Sequence, residues 1–249
     1  MNKWTKEELR LALALYCQMP FGKMHSRNPE IIRLAQQIGR TPSAVAMKLV
    51  NFASLDPQIT NSGRVGLGNA SALDREVWGE FQKDWEGQLV EASKVIEPEV
   101  FELPSQDMET MRRSEVEIRT KQSVFRKMVL SSYVGRCCIT GLSDPRLLVA
   151  SHIVPWNEDK KNRLNPQNGL CLNVLHDKAF DRGLITVTPE LTISVSPELK
   201  KLRDDPFAAN NLVSMDGAKI RLPEKFAPSP EFLAWHGEHV FLGVLNSRG

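Results

Sequence analysis

Three neighbouring stretches carry side chains whose types and order suit the hydrolysis of a phosphodiester. They are Ser151-His152-Ile153-Val154-Pro155-Trp156, then Asn165-Pro166-Gln167-Asn168-Gly169-Leu170-Cys171-Leu172-Asn173, then His176-Asp177-Lys178-Ala179-Phe180-Asp181. Such a reaction needs an activated water, a cation to stabilise charge on the phosphorane and the leaving oxygen, and a fixed in-line geometry. An imidazole titrates near neutrality, so His152 suits the general base. The side-chain carbonyl of Asn168 can accept a hydrogen bond from the other ring nitrogen and hold the tautomer. His176 can present a neutral nitrogen to a divalent metal, and Arg163, Lys178 and Arg182 offer cations for phosphate contacts. Each residue alone also has an ordinary reading: a hydrogen-bonded structural histidine, an Asn-Gly turn, and a histidine on the buried side one helical turn before Phe180. Their order and spacing together favour the chemistry.

The elements that must position these groups are legible around them. Leu147 to Val154 and Gly169 to Leu172 read as short strands, and Val174 to Arg182 as a helix closed by Gly183. A strand-loop-strand-helix hairpin of this order brings His152, Asn168 and His176 together. A helix with basic flanks, about Ser114 to Tyr133, precedes it, with Val116, Phe125, Val129 and Leu130 on its apolar side. Two further strands, Leu184 to Thr188 and Leu191 to Val195, follow through Pro189-Glu190, and a helix is expected from about Pro230 to Phe241.

Over about residues 112 to 195 this pattern resembles the HNH endonucleases of the ββα-metal fold, and more closely their restriction-type branch. There too a basic helix precedes a Cys-x-x-Gly turn like Cys138-Ile139-Thr140-Gly141, followed by an Asn-Gly-Leu strand and a His-x-x-x-Phe-Asp helix. The resemblance implies DNA cleavage with Mg²⁺, Mn²⁺ or another divalent ion, and it gives His176 the role of metal ligand. Two departures stand out. Many HNH enzymes place Asp, His or Glu just before the base histidine as a ligand, where this chain has Ser151. Asp177 and Asp181 share a helix face, but one about 100° or more from His176; Asp177 is taken with Ser151 and His176 as the candidate ligand set, and Asp144, Glu158 and Asp159 are loop alternatives. Gly141 and Val174 stand where zinc-binding relatives carry cysteines, so no structural zinc is expected, and Cys138 and Cys171 read as small buried residues.

Toward the N-terminus, Thr5 followed by Glu8 makes a capping box, and Asn28-Pro29 and Thr41-Pro42 open two more helices. The turn at Gly39-Arg40-Thr41-Pro42 and the following Ser43, Met47 and Lys48 have a helix-turn-helix layout. With Trp4-Thr5-x-Glu7-Glu8, the first fifty or so residues resemble the Myb/SANT class of trihelical domains, which implies DNA contacts from Arg40 and Lys48. A plain helical bundle is the competing reading. From Ser71 to about Glu97 an acidic helix is expected, then a linker over 96–113 with Pro98 and Pro104.

Charge divides the chain as the elements do. The total is only +2, but residues 1–60 carry +4, 61–110 carry −7, 111–182 carry +6 and 183–249 carry −1. Arg136 in the second basic block joins the expected DNA contacts. The four cysteines are too few and too awkwardly spaced for a secreted disulfide framework, which favours a reducing, cytoplasmic setting. Leu9 to Met19 is too short to span a bilayer and reads as a core helix, so no membrane association is expected.

The expectation is therefore an α+β protein with a trihelical DNA-binding domain (1–60), an acidic helical connector and linker (61–110), and an HNH nuclease domain with a C-terminal extension (111–249). Its function would be metal-dependent cleavage of DNA in restriction or anti-phage defence, with a homodimer as one way to cut two strands. The alternatives are a non-catalytic DNA-binding or regulatory protein on a degenerate HNH scaffold, and a nuclease subunit restrained by a protein partner of a defence system.

Overall fold

The computed structural model describes residues 3–61, 63, 68–96 and 110–244, with side chains from 117 onward in the helix that opens at 110. The linker segment with Pro98 and Pro104 lies outside these residues. Two compact units result. The first holds the residues up to Val134 together with Lys161–Pro166 and Glu224–Phe226, and the second holds the remainder.

In the first unit, α1 (Lys6–Gln18) begins with the reciprocal cap that Thr5 and Glu8 specify: Thr5 Oγ1 accepts from the Glu8 amide and Glu8 accepts from the Thr5 amide. Its residues from Leu11 to Gln18 are buried, so this apolar run is a core helix. α2 (Pro29–Gln37) and α3 (Pro42–Ala53) start at the expected Asn28 and Thr41 caps. The short α4 (Pro57–Asn61) follows. The acidic stretch, expected as one helix, is two: α5 (Ala72–Lys83) and α6 (Trp85–Ile96). The break falls at Asp84, whose carboxylate accepts the Gly87 N–H at 2.9 Å and so offers the backbone a cap in place of a continued helix. α7 (Thr110–Ser132) packs on α1, and Ser131 Oγ donates to the Cys17 carbonyl at 3.1 Å. The compact unit accordingly runs past 110 to the end of α7.

The C-terminal carbonyls of α1 are satisfied from far along the chain. Lys225, fully buried, donates to the carbonyls of Tyr16, Cys17 and Met19 and lies 4.5 Å from the centre of the Tyr16 ring. Burial pulls its ammonium down to about 8. Phe226 beside it stacks on Trp78 at 6.1 Å and meets Trp85 edge-on at 5.6 Å, completing the aromatic core.

The basic and acidic blocks neutralise each other inside this unit. Lys6 pairs with Glu76 at 2.7 Å, Arg10 with Glu80 at 3.1 Å, Lys121 of α7 with Glu86 at 2.8 Å and Lys127 with Glu30 at 3.0 Å. Part of the charge that looked available for nucleic acid in the sequence is spent on such pairs inside the unit.

The second unit contains an antiparallel pair, β1 (Leu148–His152) and β2 (Gly169–Asn173), followed by α8 (Val174–Asp181). A hairpin of β3 (Ile185–Val187) and β4 (Ile193–Val195) comes next, then α9 (Pro197–Lys200), α10 (Pro206–Asn211) and α11 (Pro230–His239). Gly183 closes α8 at φ +67, and a Cβ there would lie 2.0 Å from the Val240 carbonyl oxygen, so both its backbone angle and its surroundings require glycine. His236 of α11 stacks on Phe180 at 3.7 Å, accepts from the Thr186 hydroxyl at 2.8 Å through Nδ1 and donates to the Phe180 carbonyl at 3.2 Å through Nε2. Its burial holds its pKa down to about 4. The whole is an α+β chain with a helical N-terminal region. Among the described residues no helix is long and apolar enough to cross a membrane.

Candidate active site

Strand register decides which side chains of β1 can meet α8. Ser151 stands opposite Leu170 and His152 opposite Gly169, and cross-strand partners share a face, so Ser151 and His152 point to opposite sides. The Ser151 side is covered by α8. Ser151 is 3 % exposed, and its hydroxyl lies beside the half-buried carboxyl of Asp177, close enough to favour the charged form. The pair lacks the geometry of a formed hydrogen bond, and Ser151 Oγ has no hydrogen-bond partner among the described residues. Desolvation raises the Asp177 pKa, Ser151 opposes that rise, and Asp181 one turn further on adds to it. Asp181 is itself raised, first by desolvation, with Lys178 and Arg182 opposing. The Ser151 hydroxyl and the Asp177 carboxyl thus lie together on the side of β1 that α8 covers.

His152, half-buried at the end of β1, faces a partner that has no side chain. Its ring meets Trp156 edge to face, with centroids 5.5 Å apart and planes at 86°. The loop between them is pinned by Asn168, which is 1 % exposed. Asn168 Oδ1 accepts the Val154 N–H at 2.8 Å, its Nδ2 donates to the Val154 carbonyl at 3.1 Å, and its own carbonyl accepts the Ile153 N–H at 3.0 Å. Two hydrogen bonds of its amide group thus go to the backbone just behind His152. Asn168 orders the residues that follow the histidine.

His176 is 2 % exposed and belongs to a separate network. Its Nε2 lies 2.9 Å from the Asn211 carbonyl, which can only accept, so Nε2 carries the proton. Nδ1 then accepts from Asn173 Nδ2 at 3.1 Å, while Asn173 Oδ1 caps α8 through the His176 amide. Neither ring nitrogen is open to a cation, which corrects the ligand role expected for His176: the residue points into the packing of α8 and α10. Beside it, burial raises the Cys137 thiol, but its polar surroundings, the neighbouring His176, the Thr140 hydroxyl and the Thr140 and Ile139 amides, outweigh that and bring it down to about 7. Nothing local in the sequence marks Asn211, thirty-five positions from His176, as its partner.

The expected nucleic-acid contacts divide into two groups. Arg136, Lys178 and Arg182 are exposed on the second unit, the latter two one turn apart beside Asp177 and Asp181. Arg163 is half-buried in the first unit. Arg40 and Lys48 are committed elsewhere, a correction to the DNA-reading role drawn from the trihelical resemblance. Lys48 is 8 % exposed and bonds both carboxylate oxygens of the fully buried Asp74 at 3.0 Å. Arg40 forks onto Glu8 at 2.9 and 2.8 Å, donates to the Lys3 carbonyl, and lies over the Trp4 ring. Of the loop acids, Asp144 pairs with Arg146 at 2.6 Å. The four cysteines are free and buried, as Cys138 and Cys171 were expected to be.

Residues 137–188 match the family model HNH_2, described as HNH endonuclease. The match covers β1, β2, α8 and β3 and therefore all the groups around Ser151, His152 and Asp177. The chain carries an HNH nuclease domain, of a family that acts on nucleic acid. No curated protein matches the chain.

Proposed function

We propose that this HNH domain hydrolyses DNA phosphodiester bonds with the help of a divalent cation, and that His152 is its general base. The observation that carries the reading is the placing of His152 at the end of β1, inside the matched residues, with Trp156 against its ring and the following loop tied to Asn168. Among the described residues no three His, Cys, Asp or Glu side chains converge on one point. Mg²⁺ and Mn²⁺ suit such a sparse site, because a hard ion is commonly held by one or two carboxylates, with water and phosphate oxygens completing its shell. Asp177 would hold the ion, with the Ser151 hydroxyl beside it. Once bound, the ion would supply positive charge for the phosphate oxygens in the transition state.

His152 takes a proton from water, whose oxygen attacks phosphorus as the bond to the leaving sugar oxygen breaks. Asn168 keeps the following loop, and with it Trp156, in register with the imidazole. Lys178 and Arg182 hold the backbone of the substrate, so affinity falls as salt rises. Restriction or anti-phage defence is the setting that the restriction-type spacing of the motif supports.

A His152→Ala variant should bind DNA nearly as the unsubstituted protein does and lose cleavage; undiminished cleavage would remove His152 from the mechanism. Because Ser151 replaces the usual acidic ligand, a binding-only scaffold is the second reading. Gel retardation without nicking by the unsubstituted protein in Mg²⁺ or Mn²⁺ would favour it.

A further inference from the structure

We infer that Trp156 is a positioning residue for His152, holding the imidazole through the edge-to-face ring contact; this rests on His152 being the base. Three observations carry it. The centroid separation of 5.5 Å and the interplanar angle of 86° fall within the preferred geometry of aromatic pairs. The cross-strand neighbour of His152 is Gly169, which has no side chain, and this leaves room for the indole to approach the ring. The segment that delivers Trp156 is also held in place. The Ile153 and Val154 amides are tied to Asn168, proline at 155 restricts the backbone, and the Glu158 amide closes a turn onto the Pro155 carbonyl at 3.0 Å.

The consequence lies in the geometry of the reaction. A base that wanders by an ångström loses much of its advantage. With the indole on one side, the ring keeps one orientation before water and phosphate arrive. An indole at the same place could instead stack on a nucleobase of the substrate, and the two roles separate experimentally.

The test is single-turnover cleavage of a DNA duplex in Mg²⁺ by the full chain, with the dissociation constant for the same duplex measured in parallel. Trp156→Leu is expected to slow cleavage at saturating DNA about tenfold while changing the dissociation constant less than about twofold; Trp156→Phe, which keeps a ring, loses no more than about threefold. In a His152→Ala background, Trp156→Leu should add nothing, because its effect passes through the imidazole. The ring protons of His152, shifted by the indole, should move toward the values of a free imidazole in Trp156→Leu. Wild-type cleavage by Trp156→Leu overturns the proposal, as does a loss that appears in the dissociation constant or persists without His152. Should Trp156→Leu not fold, a Trp156→Phe protein that cleaves no better than about one thirtieth of wild type would overturn it as well. Cleavage by His152→Ala at the wild-type rate would instead strike the base assignment itself, a result distinct from any failure of Trp156.

Discussion

Replacing Asn168 by alanine tests the local architecture of the site most directly. The amide makes one hydrogen bond to the Val154 N–H at 2.8 Å and one to the Val154 carbonyl at 3.1 Å, between residues that are 1 % and 5 % exposed. Each bond contributes about 1 kcal/mol net, and each backbone group left without a partner in so buried a place costs about 1–3 kcal/mol. Water admitted by the shortened side chain recovers part of that, so the loss should be about 2–5 kcal/mol. The freed segment carries Trp156 and adjoins His152, so cleavage should fall at least tenfold under conditions where the variant is still folded. Asn168→Asp keeps the acceptor for the Val154 N–H but sets a second acceptor against the Val154 carbonyl. It should therefore be no better than alanine at neutral pH. Urea unfolding followed by tryptophan fluorescence gives the stability and single-turnover nicking gives the rate. A loss below about 0.5 kcal/mol with unaltered nicking would refute the account of Asn168 as the residue that orders the loop.

Other outcomes follow from groups outside the site. Asp74→Ala leaves the Lys48 ammonium buried without its carboxylate and should cost about 3–5 kcal/mol in urea unfolding, with little change in DNA affinity for the fraction that remains folded. A Lys48→Met variant of nearly unchanged stability and sharply weaker DNA binding would contradict this. Lys225→Met strips three carbonyls at the end of α1 of their donor and should lower stability by about 3 kcal/mol or more, measured the same way. His236 has its folded pKa depressed from 6.5 to about 4, so the folded state resists a proton that the unfolded chain accepts. Its contribution is complete above about pH 6.5 and is lost as pH falls from there through about 4, a change of about 3 kcal/mol. An NMR titration of the His236 ring finding a midpoint near 6.5 would refute it. Finally, Asp177→Asn should weaken Mn²⁺ binding at least tenfold by calorimetry, while Asp144→Asn should not, since Asp144 is paired with Arg146.

How far the sequence reaches depends on the distance over which each group finds its partner. The helix starts at Thr5, Asn28 and Thr41 were legible because a cap bonds an amide two or three residues away, and those residues are visible together in the chain. The strand-loop-strand-helix order around His152, Asn168 and His176 was legible for a similar reason: short connections leave few ways to arrange the elements. Ser151 and Asp177 lie together on the face that this order creates. The one helix expected over 71–97 failed at a point of equally local chemistry, the cap that Asp84 offers to Gly87.

Charged and buried polar groups are different, because what they do is set by what desolvates and neutralises them. Lys48 and Arg40 carry the composition of a nucleic-acid contact, yet Asp74 lies twenty-six positions from the first and Glu8 thirty-two from the second. His176 has the motif position of a ligand, but Asn211 holds its proton. Lys225 lies in a tail segment with no motif, over two hundred positions from the helix whose end it satisfies. A chain of amino acids by itself determined the caps, the strand periodicity and the order of the reactive side chains, all consequences of backbone geometry over a few residues. Only the tertiary structure decided which cations stay exposed and what the ring nitrogens of His176 bond to, because a buried charge or ring nitrogen must be satisfied by whatever the fold brings against it.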